Sequence, residues 1–208
     1  AIAIDLMDRS KMIDPLDGAQ DLQRKLLRMC RKDSLLNDPV RILRAIRLAV
    51  QFGWKISVDT LAGIKSNAYR LMDVSLERKR DELFRIFDLQ NSSIAIRLLS
   101  HLELLKYCFP ELIMERNNKI SKQIDDSVAM IYEFSKLKQV IVGKYPSEGA
   151  RDIRQGELVL SLGRFRHAIE NYFCLKIHQD RSLTAIIILC ILYYGARQPF
   201  QDSQNGKN

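Results

Sequence analysis

The sequence predicts a mostly α-helical protein, an irregular multi-helix array with a short β segment at its N-terminus. Three observations carry that prediction. Only 9 glycines and 5 prolines interrupt 208 residues, so long stretches are free of helix breakers. From Asp21 onward apolar residues recur three and four apart, the spacing of one helical face. Strict alternation, the mark of a half-buried strand, is confined to Ala1-Ile2-Ala3-Ile4-Asp5.

Taken in order, residues 1–5 and Met12-Ile13-Asp14-Pro15, separated by a polar turn at 8–11, read as two short strands. The next stretch reads as helix, with Leu22, Leu26, Leu27 and Met29 on one side and Gln23, Arg24, Lys25 and Arg28 on the other. Further helices are expected over 39–52, 58–71, 75–89, 94–105, 120–142, 156–162, 167–178 and 183–195, each bounded by a turn or cap signal. Short connections at 53–57 and 72–74 imply that neighbouring helices pack together. Residues 143–156, with Pro146, Gly149 and a run of charges, read as a surface loop, and the polar tail 198–208 as disordered.

At 47% hydrophobic and 28% charged residues the chain lies far from the composition of a disordered protein. Lys and Arg outnumber Asp and Glu by 33 to 25, a formal net charge of +8 that favours a polyanionic partner, with nucleic acid the leading candidate. Cys30, Cys108, Cys174 and Cys190 are scattered without metal-ligand spacing, so reduced and mostly buried thiols in a cytoplasmic protein are expected. The longest apolar run, 185–194, is too short to span a membrane and reads as a core helix.

The most informative stretch is Asn37-Asp38-Pro39-Val40-Arg41-Ile42-Leu43-Arg44-Ala45-Ile46-Arg47. Asp before Pro is a strong helix start, so Asp38 has a ready role as a cap. Arg41, Arg44 and Arg47 recur every three residues near the positive end of the helix dipole, where cations are mildly unfavourable. Asp38 can reach Arg41, but no acidic residue lies three or four positions from Arg44 or Arg47. The stripe is therefore either solvated or paired with a neighbouring helix, or it holds an anion such as a phosphate. A second cluster, Ser75-Leu76-Glu77-Arg78-Lys79-Arg80-Asp81-Glu82-Leu83, has Arg78 and Glu82 four apart, and a charged helix surface is its default reading.

In their order these segments resemble the class II tRNA nucleotidyltransferase (CCA-adding enzyme) and bacterial poly(A) polymerase family. Asp14-Pro15-Leu16-Asp17-Gly18, followed by Asp21-Leu22, is similar to the family's Asp-Pro-Phe-Gly-Gly and Asp-Leu, with Asp17 in place of the first glycine. Asp38 to Arg47 is similar to its base-reading segment, Glu-Asp-x-x-Arg continuing into Leu-Arg-Ala-x-Arg, with Asn37 where Glu is common. Glu77, Arg78 and Glu82 resemble a later neck motif, and Phe109-Pro110-Glu111-Leu112 the end of the neck. The resemblance implies that 1–29 is the C-terminal remnant of a nucleotidyltransferase head and 30–112 a helical neck that recognises the base and binds RNA. Residues 113–197 would be a helical body and 198–208 the tail.

By the same resemblance Asp38 and Arg41 would read the incoming base, while Arg44 and Arg47 would position the nucleotide or the motif itself. A carboxylate accepts from the exocyclic amino groups of cytosine and adenine, and guanine and uracil present a carbonyl there. The partners implied are ATP, CTP and the 3′ end of tRNA or another RNA, with no membrane. The family's Gly-Gly turn, Asp-x-Asp pair and Arg-Arg-Asp segment have no counterpart in a chain that opens at Ala1 without a starting methionine. The expectation is a piece of a longer enzyme: Mg2+ would be bound by the missing head, this chain would bind none, and alone it would be inactive. Poly(A) addition and a non-catalytic helical RNA-binding module are the competing readings.

For RNA contact the candidates are Arg24, Lys25, Arg28, Arg78, Lys79 and Arg80, and more weakly Arg164 and Arg166 beside Phe165. Some relatives continue into an HD-type metal-binding domain, but Leu192 and Tyr193 stand at the His-Asp positions, so the body is either a degenerate HD-like fold or an unrelated one. His101, His167 and His178 are isolated and are expected to be structural.

Overall fold

Two-residue strands β1 (Ala3–Ile4) and β2 (Met12–Ile13) pair antiparallel at the N-terminus of a computed structural model that describes residues 2–8, 12–110, 119–142, 157, 161–178 and 181–197. Asp14 ends β2 and starts helix α1 (Gly18–Gln23): its Oδ1 accepts from the Gly18 N–H at 2.9 Å and its Oδ2 from the Ala19 N–H at 2.8 Å. Those two backbone donors hold its carboxyl below the usual carboxylate range. Asp17, just ahead of the helix, has φ 54°, a left-handed conformation that glycine enters without steric cost. Asp17→Gly is therefore expected to stabilise the chain by about 0.5–1 kcal/mol, seen as a higher urea midpoint. A lower midpoint would mean that the Asp17 side chain carries a role of its own.

The helix expected to run through Met29 stops at Gln23. Lys25 turns left-handed at φ 52°, and Leu26–Leu27 form strand β3, parallel to β4 (Lys55–Ile56). The carbonyls of Lys25 and Leu27 accept from the N–H groups of Lys55 at 2.9 Å and Ser57 at 3.0 Å. A partner far along the chain thus overrides the local helical pattern.

Between these strands lie α2 (Ser34–Asn37) and α3 (Val40–Phe52), the latter closed by Gly53 at φ 64°, the usual left-handed helix stop. Helix α4 (Val58–Asn67) is capped by Ser57 Oγ, which accepts from the Thr60 N–H, and passes into a 3₁₀ turn at Ala68–Asp73 where continuous helix was expected. Helix α5 (Leu76–Phe87) follows a second serine cap, Ser75. The helix expected over 94–105 divides into α6 (Ser92–His101) and α7 (Leu105–Cys108), parted by Glu103 at φ 54°. The core gathers Ile42, Leu43 and Ile46 of α3, Leu83, Ile86 and Phe87 of α5, and Ala95, Ile96 and Leu99 of α6, all buried. Each large apolar side chain there contributes about 1.5–3 kcal/mol.

The chain divides into two compact units, Ala1–Cys108 and Phe109–Asn208. In the second, α8 (Lys119–Val142) and α10 (Leu183–Arg197) pack together, with Val128 and Ile131 buried on one and Ala185, Ile188 and Leu192 on the other. Thr184 Oγ1 donates to the Phe173 carbonyl and accepts from Lys138 Nζ, each at 2.9 Å. The helix expected over 167–178 is corrected: α9 (Arg166–Cys174) stops early, and β5 (Lys176–His178) pairs antiparallel with β6 (Arg181–Ser182). Leu192 is fully buried and the Tyr193 ring meets Phe109 edge-on at 5.9 Å, so both positions of the HD comparison serve packing. The stretches 143–156 and 198–208, most of 156–162, and Glu111-Leu112 lie outside the described residues.

The thiols are free but not mostly buried: Cys30, Cys174 and Cys190 are exposed. Cys108 is the shielded one, and burial pushes its thiol up to about 12. Among the described residues no helix is long and apolar enough to cross a membrane, and no three His, Cys, Asp or Glu side chains are grouped to hold a metal ion.

Candidate functional site

Asp38 leaves α2 in an extended conformation, φ −142° and ψ 87°, and Pro39 stands at the start of α3. The expected cap is not made. Backbone contacts close that first turn, Arg41 N–H to the Asp38 carbonyl and Ile42 N–H to the Pro39 carbonyl, which leaves the carboxylate to other partners. Its Oδ1 accepts from Arg78 Nη2 on α5 at 2.9 Å, and its Oδ2 from Arg41 Nε at 3.4 Å.

One turn further on, Glu82 of α5 does the same for the rest of the stripe. Its side chain is only 6% exposed. It accepts from Arg47 Nε at 2.9 Å and Arg85 Nη1 at 3.2 Å, and Arg44 Nε lies 3.5 Å away. Arg47 also donates to Gln51 Oε1 at 3.1 Å. Pairing with a neighbouring helix is thus the reading that holds for Arg44 and Arg47. Arg78 and Glu82 do not pair along α5: Arg78 crosses to Asp38 in the link ahead of α3, and Glu82 to Arg44 and Arg47 on α3.

Five guanidinium groups surround two carboxylates, so positive charge is left over. It is spread unevenly: Arg47 is 15% exposed, whereas Arg41, Arg44 and Arg78 each keep about half their surface in solvent. Arg41 and Arg44 bond through Nε, leaving their outer N–H groups free of these contacts. Both line a pocket of about 280 Å³ with Leu27, Met29, Cys30 and Leu48. Apolar walls with guanidinium donors suit a flat heterocycle with a polar edge, and the Asp38 carboxylate, outside the lining itself, meets the pocket through Arg41. Met29 N–H donates to Thr60 Oγ1 at 2.9 Å, fixing that wall to α4.

The remaining candidates fall into separate groups. Asp14, Gly18 and Asp21 build the turn around α1, and Arg28 ties into it through Asp21 at 2.8 Å and the Leu16 carbonyl at 2.7 Å. The Asp21 carboxylate raises the Arg28 pKa. Arg24 and Lys25 are exposed at the end of α1, and Arg80 is exposed beside Asp81 at 3.3 Å. Lys79 is corrected as an RNA contact: it shares the inward face of α5 with Glu82, Leu83 and Ile86 and is 8% exposed. Glu77 is exposed and stands apart from the Asp38 and Glu82 pairs. Arg166 starts α9, and the Arg164 guanidinium lies over the Phe165 ring at 4.7 Å. Sequence reasoning missed Arg85 and Gln51; the three-residue step from Glu82 to Arg85 and the four-residue step from Arg47 to Gln51 were the available signals.

Residues 53–115 match a family model described as the probable RNA and SrmB-binding site of polymerase A. The chain is 43% identical over 81 residues to a CC-adding tRNA nucleotidyltransferase of Geobacter sulfurreducens, covering 39% of this chain and 19% of that protein. It is 30% identical over 195 residues to a CCA-adding enzyme of Francisella tularensis subsp. novicida, covering 89% of this chain and 50% of that protein. The chain thus spans half or less of the length of these curated relatives. Among solved structures, a tRNA nucleotidyltransferase complexed with a primer tRNA and an incoming ATP analog superposes with a TM-score of 0.59 at 21% identity, covering 92% of this chain and 54% of that one. The Thermotoga maritima CCA-adding enzyme complexed with tRNA gives 0.55 at 19% identity, over 92% and 53%.

Proposed function

We infer, for a chain that belongs to the tRNA nucleotidyltransferase family, that it is the base-reading and RNA-holding part of an enzyme adding C or A to tRNA 3′ ends without a nucleic-acid template. The observation that carries this reading is the pairing of Asp38 with Arg41 beside the 280 Å³ pocket. A carboxylate oxygen takes the amino group of cytosine or adenine, and an arginine donor takes the adjacent ring nitrogen. Uracil and guanine reverse both polarities and are rejected. Arg44 and Arg47, locked onto Glu82, keep α3 in place beneath that edge. Among the sequence candidates, Arg24, Lys25 and Arg80 are exposed cations on the first unit and would meet RNA phosphates.

The family's metal chemistry does not fit the described residues, which group no three metal-binding side chains, and the sequence contains no Asp-x-Asp. On this reading Mg2+ and the transfer step belong to carboxylates that this chain does not supply.

Cys30 offers the test, because its thiol is exposed and lines the pocket. In the intact enzyme, maleimide labelling read by peptide mass mapping should be fast at Cys30, Cys174 and Cys190 and slow at Cys108. CTP and ATP should slow the labelling of Cys30 alone, and UTP and GTP should leave it unchanged. Equal protection by all four nucleotides, or by none, would remove this pocket as the base-reading site.

A further inference from the structure

We propose that Arg78 is a positioning residue for base selection, and that it decides which oxygen of Asp38 faces the incoming base. The inference rests on the reading of Asp38 as the base-reading carboxylate and assigns its two oxygens different tasks. The Arg78 guanidinium reaches across from α5 and donates to Oδ1 at 2.9 Å. Among the described residues Oδ2 is held by Arg41 Nε alone, at 3.4 Å, near the limit of a hydrogen bond. A carboxylate with one oxygen tightly occupied presents the other as its free acceptor, so Oδ2 is the atom that takes the amino group.

The contact also sets direction. Asp38 sits in the extended link between α2 and α3 without the helix-capping bond that would fix its side chain from its own backbone. Its side chain is 26% exposed, which leaves room for a base edge but also for rotation about Cα–Cβ and Cβ–Cγ. Arg78 removes that freedom. It can do so because it stands in the first turn of α5, a helix anchored by the buried side chains of Leu83, Ile86 and Phe87 and by Glu82, which grips α3 one turn further on. The same α3–α5 contact therefore places Arg41 and orients Asp38, so donor and acceptor face the base in a fixed order. Arg78 acts through Asp38 and takes no part in holding RNA phosphates, the role its charge alone suggests.

The test uses the intact enzyme with a tRNA primer and measures kcat and KM for each of the four nucleoside triphosphates. Arg78→Ala should raise KM for CTP and ATP about two- to fivefold, the most that an ion pair this exposed can contribute to orientation. It should narrow the margin over UTP and GTP while the affinity for tRNA and its dependence on salt stay unchanged. Arg78→Lys, which keeps a donor, should recover part of the loss. In an Asp38→Ala background Arg78→Ala should cost nothing further. If Arg78→Ala instead weakens tRNA binding with a shallower salt slope and leaves nucleotide selectivity intact, Arg78 is a phosphate contact and the proposal fails. It fails equally if Arg78→Ala and Arg78→Lys both merely lower Tm with all four nucleotides affected alike. Should Asp38→Ala alone leave selectivity intact, the base-reading role of Asp38 is what falls.

Discussion

Glu82→Ala should lower the stability of the first unit by about 2–4 kcal/mol and its melting temperature by on the order of ten degrees. Glu82 is nearly buried, and so is its strongest partner, Arg47. Removing the carboxylate leaves a guanidinium with 15% exposure against the α3–α5 core and, among the described residues, Gln51 alone to accept from it. Unpaired charge at that depth is costly. The other two partners are different, for Arg44 and Arg85 are about half exposed and their contacts are screened. Arg44→Ala and Arg85→Ala should therefore each cost less than about 1 kcal/mol, which separates the Arg47 pair from the rest of the cluster. Glu82→Gln keeps an acceptor without the charge and should fall between. Thermal unfolding followed by circular dichroism reads all four. A Glu82→Ala variant that melts within two or so degrees of the parent would show that α3 and α5 are held by apolar packing alone.

Asp38→Asn should collapse discrimination among nucleotides without unfolding the protein. The substitution is nearly isosteric, and the pairs it weakens are solvent-exposed, worth about 1 kcal/mol or less. Its chemical effect is large because Arg78 offers only donors. The amide must turn its oxygen toward Arg78, which places the NH₂ where Oδ2 stood. A donor then meets the amino group of cytosine or adenine, and incorporation of both should fall roughly a hundredfold. Uracil O4 and guanine O6 gain a partner, yet their ring N–H still opposes Arg41, so preference is lost rather than inverted. Competition among the four triphosphates in a single-turnover assay measures this. Retained preference for C and A would mean that the carboxylate is not the acceptor.

Much of this arrangement was legible in the chain. The runs at 39–52 and 75–89 announce amphipathic helices because their apolar residues fall three and four apart, and the arginine stripe stands out for lack of local acids. What answers the stripe could not be read locally. Glu82 lies 35 residues from Arg47, and a helical wheel places it as a partner for Arg78. Only the packing of α5 on α3 turns it inward. Asp38 misled for a related reason: Asp-Pro is a strong cap pattern, but α3 closes its first turn with backbone groups and the carboxylate goes to another helix. Local periodicity reads Leu26–Leu27 and Lys176–His178 as helix because it carries no signal of the strands that pair with them, Lys55–Ile56 and Arg181–Ser182. Asp17 shows the reverse case, where the residue replacing a family glycine still adopts the left-handed turn.

The two-residue ladder of β3 and β4 has a consequence for how the protein is made. Everything between Leu27 and Lys55, including the whole of α3, is enclosed in a loop tied at its neck by a few backbone bonds and by Met29 N–H on Thr60. Closing such a loop carries an entropic penalty that so short a ladder does not recover by itself. The ladder is therefore expected to close only after the enclosed helix has packed on α5 and α6, the step that also brings Arg44 and Arg47 to Glu82.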